Sequence, residues 1–304
     1  MGRKKSNNKT IFIIIHIIIL VIICILIFAN IFVYTKNKEY INTNIHISQE
    51  IAKKEIIFSN NKKEIDNLNS EINKINDLNN SINKEKEDYY SNIRLLEDKI
   101  LKGESNQKIA YITIDDGPYQ YTNQFLDILK KYNAPATFFV LLKPNRINEY
   151  KRMVNEGHTI ANHTASHNLK KTGIYSSSNA FISDVNLLNN WLEKNVGVST
   201  TLFRFPGGSP TAGRFKLDIA NTLKEKGYNY VDWNVIVGDG SDALIKQKRP
   251  YEWVKDQIKG KDIAVILMHD YCLETLQDLP KILQYLKDNG YLILPLTNKS
   301  IMVN

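Results

Sequence analysis

Between residues 109 and 295, short strand-like apolar runs alternate with amphipathic helix-like runs, an order that leaves few folds open. Strands are expected at 109–114, 136–142, 159–161, 201–205, 230–237, 263–268 and 291–295. Helices are expected at 123–132, 149–156, 178–195, 217–226, 253–259 and 279–289. Repeated strand–helix units need crossover connections, and these build an α/β fold with a parallel sheet, open or closed into a barrel. Asp115, His163, Arg204, Asp239 and His269 each fall at or just past the C-terminal end of an expected strand. In a parallel barrel those ends share one face, and sites form there.

The region before residue 109 is of another kind. Residues 11–34 read IFIIIHIIILVIICILIFANIFVY, without an acidic or basic side chain apart from His16. About 24 residues make a helix of roughly 36 Å, enough to cross a ~30 Å hydrocarbon core. A cleaved signal peptide is the other reading, but its apolar core would be unusually long and no small-x-small site follows it. Arg3, Lys4, Lys5 and Lys9 precede the span and favour a cytoplasmic N-terminus, with everything after Thr35 outside the membrane. Residues 36–102 are polar and helix-forming, with Ile65, Leu68, Ile72, Ile75, Ile82, Tyr89, Ile93, Leu96 and Ile100 spaced by threes and fours, interrupted by Asn79 and Lys86. That is a heptad seam, expected to form a marginal coiled-coil stalk, as a homo-oligomer or as an intramolecular hairpin; a helix packed on its own domain gives a similar pattern over a shorter length. The expected organisation is a basic tail at 1–10, a transmembrane helix at 11–34, the stalk at 36–102 and a catalytic domain at 108–304.

The net charge of +8 is spread along the 304 residues with no dense basic block beyond the extreme N-terminus, which argues against a nucleic-acid partner. Cys24 lies inside the apolar run and Cys272 far from it, so no intrachain disulfide is expected.

Two motifs carry chemistry. Thr113-Ile114-Asp115-Asp116-Gly117-Pro118 sets adjacent carboxylates at the end of an apolar run, and His163-Thr164-Ala165-Ser166-His167 sets two imidazoles four apart. Asp116 with His163 and His167 has the ligand chemistry to hold one face of a divalent cation, and Asp115 is then free to deprotonate a water. Either motif alone has a bland reading: a turn cap for the aspartates, a chance pairing for the histidines. Leu267-Met268-His269-Asp270 ends another apolar strand with a polar pair.

With Phe203-Arg204-Phe205-Pro206 and an Asp after the Trp233 strand, these segments stand in the order of the polysaccharide deacetylases with a NodB homology domain, carbohydrate esterase family 4, which the chain resembles over about residues 108–297. The resemblance implies a distorted (β/α) barrel related to the TIM barrel, usually with fewer than eight strands, and metal-dependent removal of acetyl groups from N-acetylated sugars. Position by position it implies Asp116, His163 and His167 as metal ligands and Asp115 as base. Arg204 would keep Asp115 ionised, since an adjacent cation lowers a carboxylate pKa. His269 would be the acid that protonates the departing amine, and Pro206, Gly207 and Leu267 would border the substrate and its oxyanion. Zinc is the expected metal, with cobalt, nickel or iron also compatible. For the partner of His269, Asp232-Trp233 matches by letters, but Asp239 lies at the strand's end and is preferred. His158 precedes its strand and is read as structural.

Two departures bear on substrate. Gly207-Gly208-Ser209 stands where the family often has an aromatic after the Arg-x-Pro element, and Gly240 replaces the Trp after the Asp. The expected substrate is an N-acetylglucosamine or N-acetylmuramic acid unit of cell-wall peptidoglycan, with N-acetylglucosamine first. An N-acetylglucosamine exopolysaccharide, or a non-catalytic domain that only binds glycan, are the alternatives.

Overall fold

The structure, a computed structural model, describes residues 4–301, so Arg3 of the basic tail lies outside it. Contacts divide the chain into two units, one up to Asn83 and one from Lys84.

The first unit is helical throughout its described residues and belongs to α1 (Lys4–Leu101). By length and composition α1 contains a stretch apolar enough to cross a membrane. Its apolar side chains from Phe12 to Ile82 are exposed, including the seam residues Ile65, Leu68, Ile72, Ile75 and Ile82.

The second unit takes in the last residues of α1. Ile93 and Ile100 are buried with Ile109, Tyr111 and Val265, so the C-terminal end of the heptad pattern is satisfied by the domain's own core. Glu97 is fully buried between them; it accepts from Tyr111 Oη at 2.6 Å and from the Ile301 N–H at 3.1 Å. Burial raises its carboxyl to about 7, against the pull of the Tyr111 bond. The folded unit therefore holds this proton more tightly than the unfolded chain does. The contribution of Glu97 to stability is fully present below about pH 4.5 and is lost as pH rises to about 7. Glu97→Gln carries no such proton, and its unfolding free energy is expected to lose that slope when urea midpoints are compared between pH 5 and 8.

Eight strands follow in one sheet: β1 (Lys108–Asp115), β2 (Ala136–Val140), β3 (Thr159–Asn162), β4 (Leu202–Phe203), β5 (Asn229–Tyr230), β6 (Val235–Ile236), β7 (Ile263–His269) and β8 (Tyr291–Ile293). Every pairing is parallel, in the order β5-β4-β3-β2-β1-β7-β6, with β8 beside the start of β1. β5 and β6 do not pair, so the sheet curls into a half-barrel instead of closing. The helices α2 (Thr122–Lys131), α3 (Ile147–Asn155), α4 (Ser178–Val196), α5 (Lys216–Glu225), α6 (Asp242–Gln247), α7 (Pro250–Gln257) and α8 (Leu273–Asp288) connect them.

The period of two along β1 separates the two cores. Ala110, Ile112 and Ile114 pack with the helical layer, against Leu126, Leu129 and Leu283. Ile109 and Tyr111 turn to the inner face, and so, two residues on, do Thr113 and Asp115.

Three elements differ most from the sequence-based expectation, the first being α6, where no helix was expected. The single strand expected at 230–237 is split into β5 and β6. Between them the Arg204 guanidinium takes the carbonyls of Val231 (Nε, 2.8 Å) and Asp232 (Nη2, 2.9 Å), so these groups are not free for a ladder. Helix α8 begins at Leu273, not 279, and runs on through Pro280, which lies inside it and, lacking an N–H, leaves the Leu276 carbonyl without its helical donor.

Candidate active site

The C-terminal strand ends bring the titratable residues together. Asp115 is the last residue of β1 and His269 the last of β7, in register with each other. His163 follows β3, Arg204 follows β4, and Asp239 lies three residues past β6.

Arg204 is the largest fully buried side chain of the unit. Its Nη1 donates to Asp115 Oδ1 and to Thr113 Oγ1, both at 2.8 Å, and its guanidinium lies 4.1 Å from the centre of the Phe139 ring. With the Val231 and Asp232 carbonyls, four of its five N–H groups have acceptors and every nitrogen is engaged, which is how a buried guanidinium is tolerated. Burial raises the Asp115 carboxyl above the ordinary range, with Arg204 and then His269 acting against it. Arg204 acts in the expected direction, but desolvation is the larger influence, and it leaves Asp115 a stronger base than a surface aspartate.

Next along the chain, Asp116 has a left-handed backbone (φ 69°), which Asp adopts more readily than most residues. Its Oδ1 lies 3.7 Å from His163 Nε2 and 3.5 Å from His167 Nε2, is buried, and has no hydrogen-bond partner. Ligand atoms of the three residues all lie within 4.8 Å of one another. His163 Nδ1 donates to the Arg204 carbonyl at 3.0 Å, which fixes the tautomer and leaves Nε2 with its lone pair towards Asp116. Burial pushes the His163 imidazole down to about 3, so it is neutral, as a metal ligand must be. An orphaned carboxylate oxygen facing two imidazole nitrogens fits a divalent cation of zinc type. Asp115 Oδ2 is 3.6 Å from His163 Nε2, beside this cluster.

Across the site, His269 donates from Nδ1 to Asp239 Oδ1 at 2.8 Å. Asp239 Oδ2 accepts the His269 N–H at 2.8 Å and the Thr275 hydroxyl at 2.7 Å, so the carboxylate is fixed. Burial works against charge on His269, but the bond and charge of Asp239, then Asp115 and Asp116, lift it to about 9. Its Nε2 lies 3.9 Å from Asp116 Oδ2 and faces the cluster. Of the two candidates for its partner, Asp239 makes the contact. Asp232 instead accepts the Ser209 N–H at 3.0 Å and secures the 206–209 turn.

Leu267 pairs in register with Thr113, on the inner face below His269. Pro206 is buried, its carbonyl accepting from Tyr175 Oη at 2.9 Å. Gly207 is exposed with φ +74°, and a Cβ there would sit 3.0 Å from Thr211 Oγ1. His158 is buried away from the site and accepts the Ala136 N–H at 3.1 Å, a structural contact.

Three participants escaped the sequence reading. Thr113 shares the Arg204 guanidinium; its place two residues before Asp115 on the same strand face was the available signal. Lys143 donates to the Asp116 carbonyl at 2.7 Å from a loop after β2, and nothing local in the sequence marks it. Asp270, fully buried, accepts from Thr122 and, at 3.1 Å, from the Tyr119 N–H, so it holds the loop that follows the two acidic residues.

The family model described as polysaccharide deacetylase matches residues 102–231. A peptidoglycan-N-acetylglucosamine deacetylase of Bacillus cereus is 32% identical over 209 residues, which cover 62% of this chain and 85% of that protein. A peptidoglycan-N-acetylmuramic acid deacetylase of Bacillus subtilis is 32% identical over 196 residues, 61% of this chain and 37% of its own. The crystal structure of the catalytic domain of a peptidoglycan N-acetylglucosamine deacetylase from Eubacterium rectale superposes with a TM-score of 0.60 at 35% identity, covering 65% of this chain and 92% of that one. The chain belongs to the polysaccharide deacetylase family, whose members hydrolyse N-acetyl amide groups.

Proposed function

We propose that the protein is a membrane-anchored, metal-dependent deacetylase of cell-wall peptidoglycan that releases acetate from N-acetylglucosamine units outside the cell. The observation that carries this reading is the buried, unpartnered Asp116 oxygen between His163 and His167, with a base on one side and a charged imidazole on the other.

Asp116, His163 and His167 hold one divalent ion, zinc by preference. When bound, that ion supplies Lewis-acid activation of water and of the acetamide carbonyl. Asp115, oriented by Arg204, takes a proton from the attacking water as its oxygen bonds to the acetyl carbon. The exposed Gly207 N–H donates to the developing oxyanion, a contact worth roughly 3 kcal/mol in related chemistry. His269 Nε2 gives its proton to the leaving nitrogen, with Nδ1 held by Asp239. The C–N bond breaks, and acetate and a free amino sugar leave. Pro206 and Leu267 shape the floor on which the acetyl group rests.

A pH dependence follows. His269 acts as an acid only while protonated, so kcat should fall on the alkaline side, near the value of about 9 to which Asp239 raises it. Asp239→Asn removes that support, and the alkaline limb of the pH–rate profile should move to lower pH. An alkaline limb that stays in place would remove His269 from the role of acid.

The apolar run in α1 supports a single membrane crossing over residues 11–34 with the catalytic domain, residues 108–304, outside and the basic tail, residues 1–10, inside. The seam residues Ile65, Leu68, Ile72, Ile75 and Ile82 are each more than half exposed, which supports self-association through a coiled coil over the part of the stalk that ends at Asn83, before the residues buried by the domain. Peptidoglycan as substrate is supported by the names of both relatives, and its N-acetylglucosamine by the first of them. The test is acetate release by the full chain from peptidoglycan and from N-acetylglucosamine oligomers side by side. Faster release from peptidoglycan is expected; release from the oligomers alone would move the assignment to an exopolysaccharide.

A further inference from the structure

Two tyrosines with no part in the hydrolytic chemistry stand over the candidate metal ligands. Tyr119 follows the Asp-Asp-Gly-Pro turn and Tyr271 follows His269 by two residues; with Gln120 they line a cleft of about 560 Å³ whose other wall includes Asp116 and His167. We propose that Tyr119 and Tyr271 form a sugar-binding subsite for the pyranose next to the one that loses its acetyl group. The identity of that sugar rests on the deacetylase reading above; the existence of the subsite does not.

The first observation is that the rings are fixed although one is open to solvent. Tyr119 is 44% exposed, yet its N–H donates to buried Asp270 at 3.1 Å and the Lys143 ammonium lies 3.9 Å from its ring centre. Its ring meets Tyr271 edge to face, with centres 5.6 Å apart and planes at 68°. Tyr271 in turn stacks on His269 at 4.9 Å and 29°, and its carbonyl accepts from Gln120 Nε2 at 3.2 Å. Between Lys143 and Tyr271, Tyr119 still leaves a large part of its side chain open to solvent. Rings held this way lose little freedom when a ligand arrives, and this is what makes tyrosine effective in recognition.

The second observation concerns what the rest of the site lacks. Gly207 and Gly240 carry no side chain, so neither rim position offers an apolar plane to a sugar. A pyranose has one face rich in C–H groups and hydroxyls around its edge. An aromatic plane and a phenolic oxygen match both features, whereas a flat apolar surface matches only the first. Because Tyr271 also lies against His269, a sugar on this platform is placed beside the group that protonates the leaving nitrogen.

The experiment is equilibrium binding of the N-acetylglucosamine tetramer to the full chain in detergent, with chelator present so that turnover does not interfere. Tyr119→Leu should weaken binding about tenfold, corresponding to about 1.4 kcal/mol, whereas Tyr119→Phe, which keeps the ring, should stay within about threefold of the parent. The single sugar N-acetylglucosamine should bind far more weakly than the tetramer. Unchanged tetramer affinity in Tyr119→Leu, or no tetramer binding by the parent protein, would overturn the subsite. Acetate release with zinc is read separately: ring-dependent binding without release would keep the subsite and overturn the hydrolytic reading alone.

Discussion

Asp115→Asn should reduce acetate release by roughly 10²- to 10⁴-fold, the range assigned to a positioned general base, while zinc affinity stays within a few-fold of the parent. The asymmetry follows from geometry. Asp116, not Asp115, presents the orphaned oxygen to both imidazoles, and Asp115 Oδ1 is taken by Arg204 at 2.8 Å. Asparagine keeps the shape of that contact but has no basic oxygen to take the proton of the attacking water. Isothermal titration with zinc beside an acetate assay separates the two effects. If zinc binding and turnover fell together, Asp115 would belong among the ligands instead.

Arg204→Met should destabilise the domain by about 3–5 kcal/mol, because it leaves the Asp115 carboxylate buried without its partner. The same change strips donors from Thr113 Oγ1 and from the Val231 and Asp232 carbonyls, which the guanidinium serves at 2.8, 2.8 and 2.9 Å. Burial already pushes Asp115 upward, and loss of Arg204, its largest opposing influence, pushes it further. The variant's deficit should therefore be smallest in acid, where Asp115 is protonated, and should grow as pH rises through the folded-state value. Urea unfolding at two pH values checks both the size and the sign. A deficit below about 1 kcal/mol, independent of pH, would mean that the pair contributes packing alone.

Much of this site was legible in the sequence because its residues sit at strand ends, and the period of two fixes which face each side chain takes. Asp115 and His269 end β1 and β7 in register, as the apolar runs before them imply. The choice of Asp239 over Asp232 rested on the same reasoning, and Asp239 is the residue that His269 contacts. What could not be read was set by tertiary contacts. The strand at 230–237 breaks because Arg204, far away in sequence, takes its carbonyls. The end of the heptad seam is buried by the domain, a fate that Ile93 and Ile100 share with coiled-coil residues in pattern but not in partner. The balance on Asp115 depends on how deeply it is buried, which no motif records. Tyr119, Tyr271 and Lys143 meet only through the packing of three separate loops.

The most direct test of the central claim is acetate release from peptidoglycan by the full chain, followed as zinc is removed by chelator and returned. The account predicts release that disappears with the metal, returns at one zinc per chain, and is absent in His163→Ala together with tight zinc binding. Release undiminished by exhaustive chelation would contradict it.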